Sequence, residues 1–290
     1  MNISYLIGVA AAIIAGIAFN LGMVIQKLAV MKTSSEAGLM RQLVRSPLWL
    51  IGFALQFIVG TPLNMLAQSK IGPAIIPGLM AIGLIVLTIG AVRLADESFD
   101  TSDFAGILLV IAAVTVFGLS RLSVDMQSIE LWEPTFLLRL GLFTLIVVAL
   151  SLVCHIMQKT NVRLRGILRM LNAGLLLSQS NLWLGILMAF LAKWGFGNFH
   201  LIDLLPIVIA SGIVFAVSML GIAETQRAFQ FGEASKLVPI QYVPMQILPI
   251  AAYFIVFHLN PSTSFAIPLA LGGIVLVLSG AILLARRQML

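Results

Sequence analysis

Apolar residues in this chain do not alternate with polar ones at strand or surface-helix spacing. They come in long, nearly unbroken runs, at approximately 4–30, 48–69, 73–94, 103–121, 135–158, 166–191, 204–227, 236–257 and 264–285. A helix needs about 20 apolar residues to cross a hydrocarbon layer about 30 Å thick. Backbone N–H and C=O groups cannot go unpaired there, so each run is predicted to be a helix and not a loop or open strand. The predicted fold is all-α, a polytopic transmembrane bundle of about nine spans forming a single membrane domain over 1–290. The connections are short; the longest, Lys32 to Arg45 and Leu122 to Pro134, are polar. The opening MNISYLIGVAAAIIAG has no basic residue before its apolar run and is read as the first span, not a cleaved leader.

Composition agrees with a lipid solvent. Hydrophobic residues make up 60% of the chain and charged residues 10%, with a mean hydropathy of +1.10, against roughly 45–50% and 25% in soluble domains. The net charge of +6 does not indicate nucleic acid, because the basic residues stand singly or in small groups between apolar runs. They behave as orientation signals. With the N-terminus outside, Lys70, Arg121, Arg139 and Lys193 face outward and the other 13 of the 17 Lys and Arg face inward, including the terminal Arg286 and Arg287. That places the C-terminus in the cytoplasm of a multi-pass cell-membrane protein, and the lipid bilayer is the first partner. Cys154 is the sole cysteine, so no intrachain disulfide forms.

A faint internal repeat lays 66–120 over 228–281, bringing Pro77 to Pro239 and Phe104 to within one residue of Phe265. Four spans (1–122), a linking span (135–158) and four more (165–290) put the two halves in opposite orientations. Such inverted repeats suit alternating access around a midplane site. The third run opens IGPAIIPGL, with Pro73 and Pro77, and the eighth reads KLVPIQYVPMQILPI, with Pro239, Pro244 and Pro249. Proline frees a carbonyl of the preceding turn and kinks a helix, and paired interruptions in corresponding positions of two halves point to a transport site.

Polar residues inside the runs supply the candidate cavity lining. Thr61, Asn64 and Gln68 share one face of the second span, and Tyr242, Gln246 and Tyr253 one face of the eighth. Asn20 lies deep in the first span. Asn172 and Gln179 share a face of the sixth, with Ser178 and Asn181 beside it. The plainer alternative for each is a hydrogen bond between helices, worth about 0.6 kcal/mol on average. Glu224 is an intramembrane carboxylate, hence a candidate for proton exchange or for holding a metal cation; the competing reading pairs it with Arg227, three residues on. His155, His200 and His258 form no ligand spacing. No phosphate-binding loop, nucleophile elbow, zinc-protease motif or paired-cysteine motif is present, so no enzyme activity and no cofactor are expected.

The stretch from Pro47 through Leu109 resembles the drug/metabolite transporter superfamily, the DMT or EamA-like group, and is most similar to its NIPA-type magnesium transporters. The matching positions are Trp49 and Gly52, Gly60 and Asn64, Ala67, Pro73-Ala74, Pro77, Glu97 and Gly106; in the second half they are Arg227-Ala228, Val238-Pro239-Ile240 and Tyr242-Val243. The resemblance implies a solute carrier with a central cavity between inverted repeats, and carries over Asn64, Pro77, Glu97, Pro239 and Tyr242. Thr61 stands where that pattern has an acid, and the second-half counterpart of Glu97 is near Asn260. The implied cargo is a divalent cation such as Mg²⁺. The scarcity of intramembrane acids favours a small organic metabolite instead, since Mg²⁺ prefers octahedral oxygen sets with carboxylates. A membrane assembly partner without transport activity is the rival class. Oligomeric state is open.

Overall fold

The computed structural model describes the chain except residues 1–2, 34–37, 72–75, 121, 123, 125–129, 196–203, 262 and 290, and except the side chains of Gln68, Ser69, Pro77 and 192–195. The described residues form helices, turns and loops, with no strand among them. In order these are α1 (Ile3–Met31), α2 (Leu39–Leu43), α3 (Pro47–Ala54), a π-helical segment (Leu55–Gly60), α4 (Thr61–Ile71), α5 (Ile76–Ala81), α6 (Gly83–Leu94), α7 (Thr101–Leu119), α8 (Pro134–Thr160), α9 (Arg165–Gly195), α10 (Leu204–Ala228), α11 (Ala234–Ile255) and α12 (Ala266–Met289).

Among the described residues eight helical stretches are long and apolar enough to cross a bilayer: α1, the α3–α4 run, α7, α8, the run through α9, α10, α11 and α12. The remaining expected span is a shorter apolar stretch, Gly78–Leu94. The chain is a multi-pass membrane protein. Its outer faces carry Leu138 at 72%, Phe215 at 69% and Val275 at 64% exposure, a surface that only lipid tails can solvate without aggregation.

Without a hydrophobic force between helices in lipid, close approach at small residues does the packing. α1 is the axis of the N-terminal half because one of its faces reads Gly8, Ala11, Ala12, Ala15, Gly16, Ala18, Gly22, all buried. A Cβ on Gly16 would lie 2.3 Å from Met80 O, and one on Gly22 would lie 2.6 Å from Gly52 O. α7 and α12 join the halves at a similar crossing, where a Cβ on Gly280 would lie 2.7 Å from Gly106 O. The largest apolar core unites both halves, with Val24, Leu84, Leu87, Val110, Met170, Leu237 and Leu284 buried together. A second core ties α8 to α9, α10 and the end of α11 through Phe136, Phe143, Ile186 and Val256.

The helix interruptions differ from those the prolines imply. Pro239, Pro244 and Pro249 all lie inside α11, which runs continuously from Ala234 to Ile255. Gly174 of α9 accommodates the proline stretch, since a Cβ there would meet Pro244 Cγ at 2.4 Å and Gln241 O at 2.5 Å. In the third span the described interruption is a single tight turn at Ile82, between α5 and α6, whose backbone stays right-handed helical (φ −56°, ψ −29°) and which involves no proline. It sits where Gly83 presses on α1, a Cβ there lying 2.2 Å from Gly16 O. Pro73 lies outside the described residues. Pro77 occupies the first turn of α5, where a missing N–H costs little.

Candidate solute site

Asn20 is a buried polar group near the middle of α1, 3% exposed. Its amide nitrogen donates to Gly16 O at 2.8 Å, and its side chain is in hydrogen-bonding contact with the Tyr242 phenol of α11. The other end of the amide, Oδ1, is buried with no hydrogen-bond partner among the described residues. Gly83 makes room here, as a Cβ on it would stand 2.5 Å from Asn20 Nδ2. Three features therefore converge on one point: the small-residue face of α1, the break at Ile82 and the proline-rich α11. Tyr242 is enclosed by α11's neighbours yet keeps part of its surface accessible. A buried acceptor left unpaired costs about 1–3 kcal/mol, which makes Asn20 Oδ1, beside the Tyr242 phenol, a candidate acceptor for a bound donor.

Below this point, toward the end that carries most of the basic residues, a chain of amides crosses the bundle. Gln56 donates to Phe19 O at 3.0 Å, Gln26 donates to Gln56 Oε1 at 3.1 Å, and Gln226 donates to Gln26 Oε1 at 2.6 Å. All three residues are buried. The π-helical segment is what presents Gln56 to α1, and such wide turns recur at functional sites. Beside it Gln241 donates to the Thr225 hydroxyl at 3.0 Å, which in turn donates to Gly221 O at 3.0 Å.

The basic end is closed by bonds between the halves. Lys27 donates to Phe229 O at 2.6 Å and to Gly232 O at 2.7 Å, and its ammonium is attracted by Glu97 and Glu233. Glu97, 7% exposed, caps the N-terminus of α11: it accepts from Ala234 N at 2.6 Å, from Ser235 N at 2.9 Å and from Ser235 Oγ at 2.7 Å. A carboxylate at a helix N-terminus satisfies orphan donors and complements the dipole. Lys236 pairs with Glu233 at 2.5 Å and donates to Ser98 Oγ at 2.9 Å. Arg287 of α12 reaches Asp100 at 3.1 Å and Asp103 at 3.8 Å. Asp100 and Asp103 form the capping box that starts α7.

The remaining candidates from the sequence fall in several places. Thr61 closes the π segment by donating to Gln56 O at 3.3 Å, and Asn64 is half-buried one turn on. Gln246 lies half-buried one turn beyond Tyr242, and Pro239 is buried in the shared core near Val238. The Gln68 and Pro77 side chains lie outside the described residues. Gln179 turns toward the linking helix and donates to Thr144 at 2.8 Å, where Trp183 also donates at 3.2 Å. Asn172 likewise accepts from Ser151 of α8 at 2.5 Å. Asn181 is exposed. Glu224 is buried and pairs with Arg227 at 2.9 Å. It faces His155, Lys159, Arg165 and Arg169 of α8 and α9, away from Asn20. Among the described residues no group of three His, Cys, Asp or Glu side chains is placed to hold a metal ion.

The sequence reading passed over Gln26, Gln56, Gln226 and Gln241. Each is an amide inside an apolar run, the same signal that singled out Gln68 and Gln179. Compared with protein-family models, with curated proteins and with solved structures, the chain matches none.

Proposed function

We propose that this chain is a solute transporter of the drug/metabolite type, with its translocation site at Asn20 and Tyr242, and that the conformation described here has its cytoplasmic end shut. The unpartnered Asn20 Oδ1 carries the reading: it is a buried acceptor at the meeting point of a broken span and a proline-rich one, in a bundle whose surface belongs to lipid. The resemblance to the drug/metabolite superfamily supports the 4+1+4 arrangement of spans and the placing of Tyr242 in the cavity. The positive-inside bias supports assigning the closed, basic end to the cytoplasm.

The chemistry of the site favours a small polar organic solute. Asn20 Oδ1 accepts, the Tyr242 hydroxyl donates or accepts, and no carboxylate stands with them. A cargo bearing one N–H or O–H donor and an apolar body fits this set. Mg²⁺ prefers carboxylates and retained waters, and the intramembrane carboxylate Glu224 lies among cationic side chains that repel a divalent ion.

The test is flux into liposomes containing the purified full-length chain, with a panel of amino acids, amines, polyols and Mg²⁺. The expected result is uptake of one organic class, lowered about 10-fold or more by Asn20→Leu, in line with the loss of ~1.4 kcal/mol or more from a hydrogen bond to cargo. Uptake of Mg²⁺ alone would replace the organic cargo with the cation implied by the resemblance. No uptake of any solute would sink the transporter reading in favour of an assembly partner.

A further inference from the structure

A second polar hollow stands apart from the Asn20 site. It has a volume of about 500 Å³ and opens between the ends of α8, α9 and α10, lined by His155, Gln158, Lys159, Arg165, Arg169, Glu224 and Arg227. Four cationic side chains, Lys159, Arg165, Arg169 and Arg227, face one carboxylate, a surplus of three positive charges without counting His155. Two of the guanidinium groups are fixed in place: Arg165 and Arg169 each lie 5.1 Å from the Phe231 ring centre, and Arg165 also donates to Gln158 O at 3.2 Å. Planar guanidiniums held in this way are pre-organised for phosphate oxygens.

Two acceptors in the same hollow are unsatisfied. Gln158 is 3% exposed and Glu224 5% exposed, and Gln158 Oε1 and Glu224 Oε2 have no hydrogen-bond partner among the described residues. Their other polar atoms are engaged, Gln158 Nε2 with His155 Nδ1 at 2.7 Å and Glu224 Oε1 with Arg227 at 2.9 Å. A ligand that suits this set has an anionic group for the arginines and hydroxyl donors for the two spare oxygens. The hollow's α8 side is polar, but the outer face of α8 beside it is apolar, with Val153 50% and Ile156 61% exposed, as is Val162 just after it, 67% exposed. In a multi-pass protein that outer face abuts acyl chains. Basic pockets between transmembrane helices at this depth suit lipid headgroups.

We propose that this hollow is a binding site for an anionic phospholipid whose headgroup carries hydroxyls, of the phosphatidylglycerol type. The phosphodiester lies against Arg165, Arg169 and Lys159, the headgroup hydroxyls donate to Gln158 and Glu224, and the tails run down α8. The site pins the linking helix to α9 and α10, and it is independent of the cargo.

The experiment uses the full-length chain, delipidated in mild detergent and examined by native mass spectrometry. Phosphatidylglycerol, phosphatidylcholine and inorganic phosphate serve as probes. The expected result is one tightly retained phosphatidylglycerol, bound at least 10-fold more tightly than phosphatidylcholine. Lys159→Gln, at an exposed position, should weaken it several-fold, and Arg169→Gln should remove the preference. Should Arg169→Gln fold poorly, Lys159→Gln combined with Gln158→Leu supplies the same readout. Equal retention of the two lipids, or unchanged selectivity in the variants, overturns the proposal. Displacement of the lipid by millimolar inorganic phosphate would also overturn it, assigning the hollow to a soluble anion.

Discussion

Glu97→Gln isolates the bond that closes the basic end. In the wild type one carboxylate satisfies three donors, Ala234 N, Ser235 N and Ser235 Oγ, at 2.6 to 2.9 Å. Glutamine keeps one acceptor oxygen. With that oxygen on the Ser235 side, its NH₂ group faces the Ala234 N–H, so one charge-assisted bond is lost and two fall from charged to neutral. Charged hydrogen bonds contribute about 1.5–3 kcal/mol and neutral ones about 0.5–1.5 kcal/mol; at the low end of the charged range the lost bond costs about 1.5 kcal/mol and each weakened one about 0.75 kcal/mol, so the closed end loses roughly 3 kcal/mol. That is about a 100-fold shift toward the state in which α11's first turn is open. Hydrogen–deuterium exchange on the full chain in lipid nanodiscs reads this directly. Amides of Ala234 and Ser235 should exchange about 100-fold faster in the variant, while those of α7 around Val110 should not change. Unchanged exchange at Ala234 and Ser235 would refute the cap as an energetic element. Uniform acceleration through α7 as well would mean that Glu97 supports the whole bundle and not this closure.

Gly16→Ala places a methyl 2.3 Å from Met80 O; overpacking of this kind costs about 1–3 kcal/mol and should lower the melting temperature in detergent, whereas Gly272→Ala, with nothing within 4 Å, should leave it unchanged. Gln226→Leu strands Gln26 Oε1 and should cost about 1–3 kcal/mol, and Gln26→Leu with Gln226→Leu should cost less than the sum of the singles in a double-mutant cycle. The Asp100 carboxyl is held below the usual carboxylate range, chiefly by the Thr101 backbone N–H, then by its hydroxyl, with Arg287 adding to it. A lowered folded pKa gives stability that is present above the unfolded value of about 3.9 and lost as pH falls through the folded value, so Asp100→Asn should flatten the decline in melting temperature below about pH 4.

Hydrophobic run length made the spans legible, because burial in hydrocarbon leaves the backbone only one way to satisfy itself. The observed bounds of α8 (Pro134–Thr160), α10 (Leu204–Ala228) and α11 (Ala234–Ile255) fall within a few residues of the runs. The place of the helix break was not legible. Proline content pointed to the third and eighth spans as a pair, but α11 carries its three prolines without interruption, with Gly174 giving Pro244 space. The interruption at Ile82 lies beside the close approach of Gly83 to Gly16 across two helices, which no single run encodes. Asn20 and Tyr242 stood out as polar groups in apolar runs and do meet. Gln179 stood out equally and turns to Thr144 instead. Helix rotation decides between these outcomes, and a single run does not encode it. The partners of Glu97 are 137 and 138 positions away, beyond any local pattern.

The layering of bonds constrains how a carrier built on this bundle would work. Opening the basic end requires breaking Lys27 to Phe229 and Gly232, Glu97 to Ala234 and Ser235, and Gln226 to Gln26. The α7–α12 crossing stays intact if the halves rock about it, since Gly106 and Gly280 hold it by backbone contact. Each broken bond near the end is replaced by water, which recovers most of its energy. The Gln26–Gln226 bond lies deeper, where water must enter for the exchange to balance. Cargo can drive that step only through a difference in affinity between the two states. Asn20, on α1 less than two turns from Gln26, is the group positioned to convert occupancy into release of that bond. In the proposed cycle, filling Asn20 Oδ1 and parting Gln26 from Gln226 are therefore coupled events on one helix.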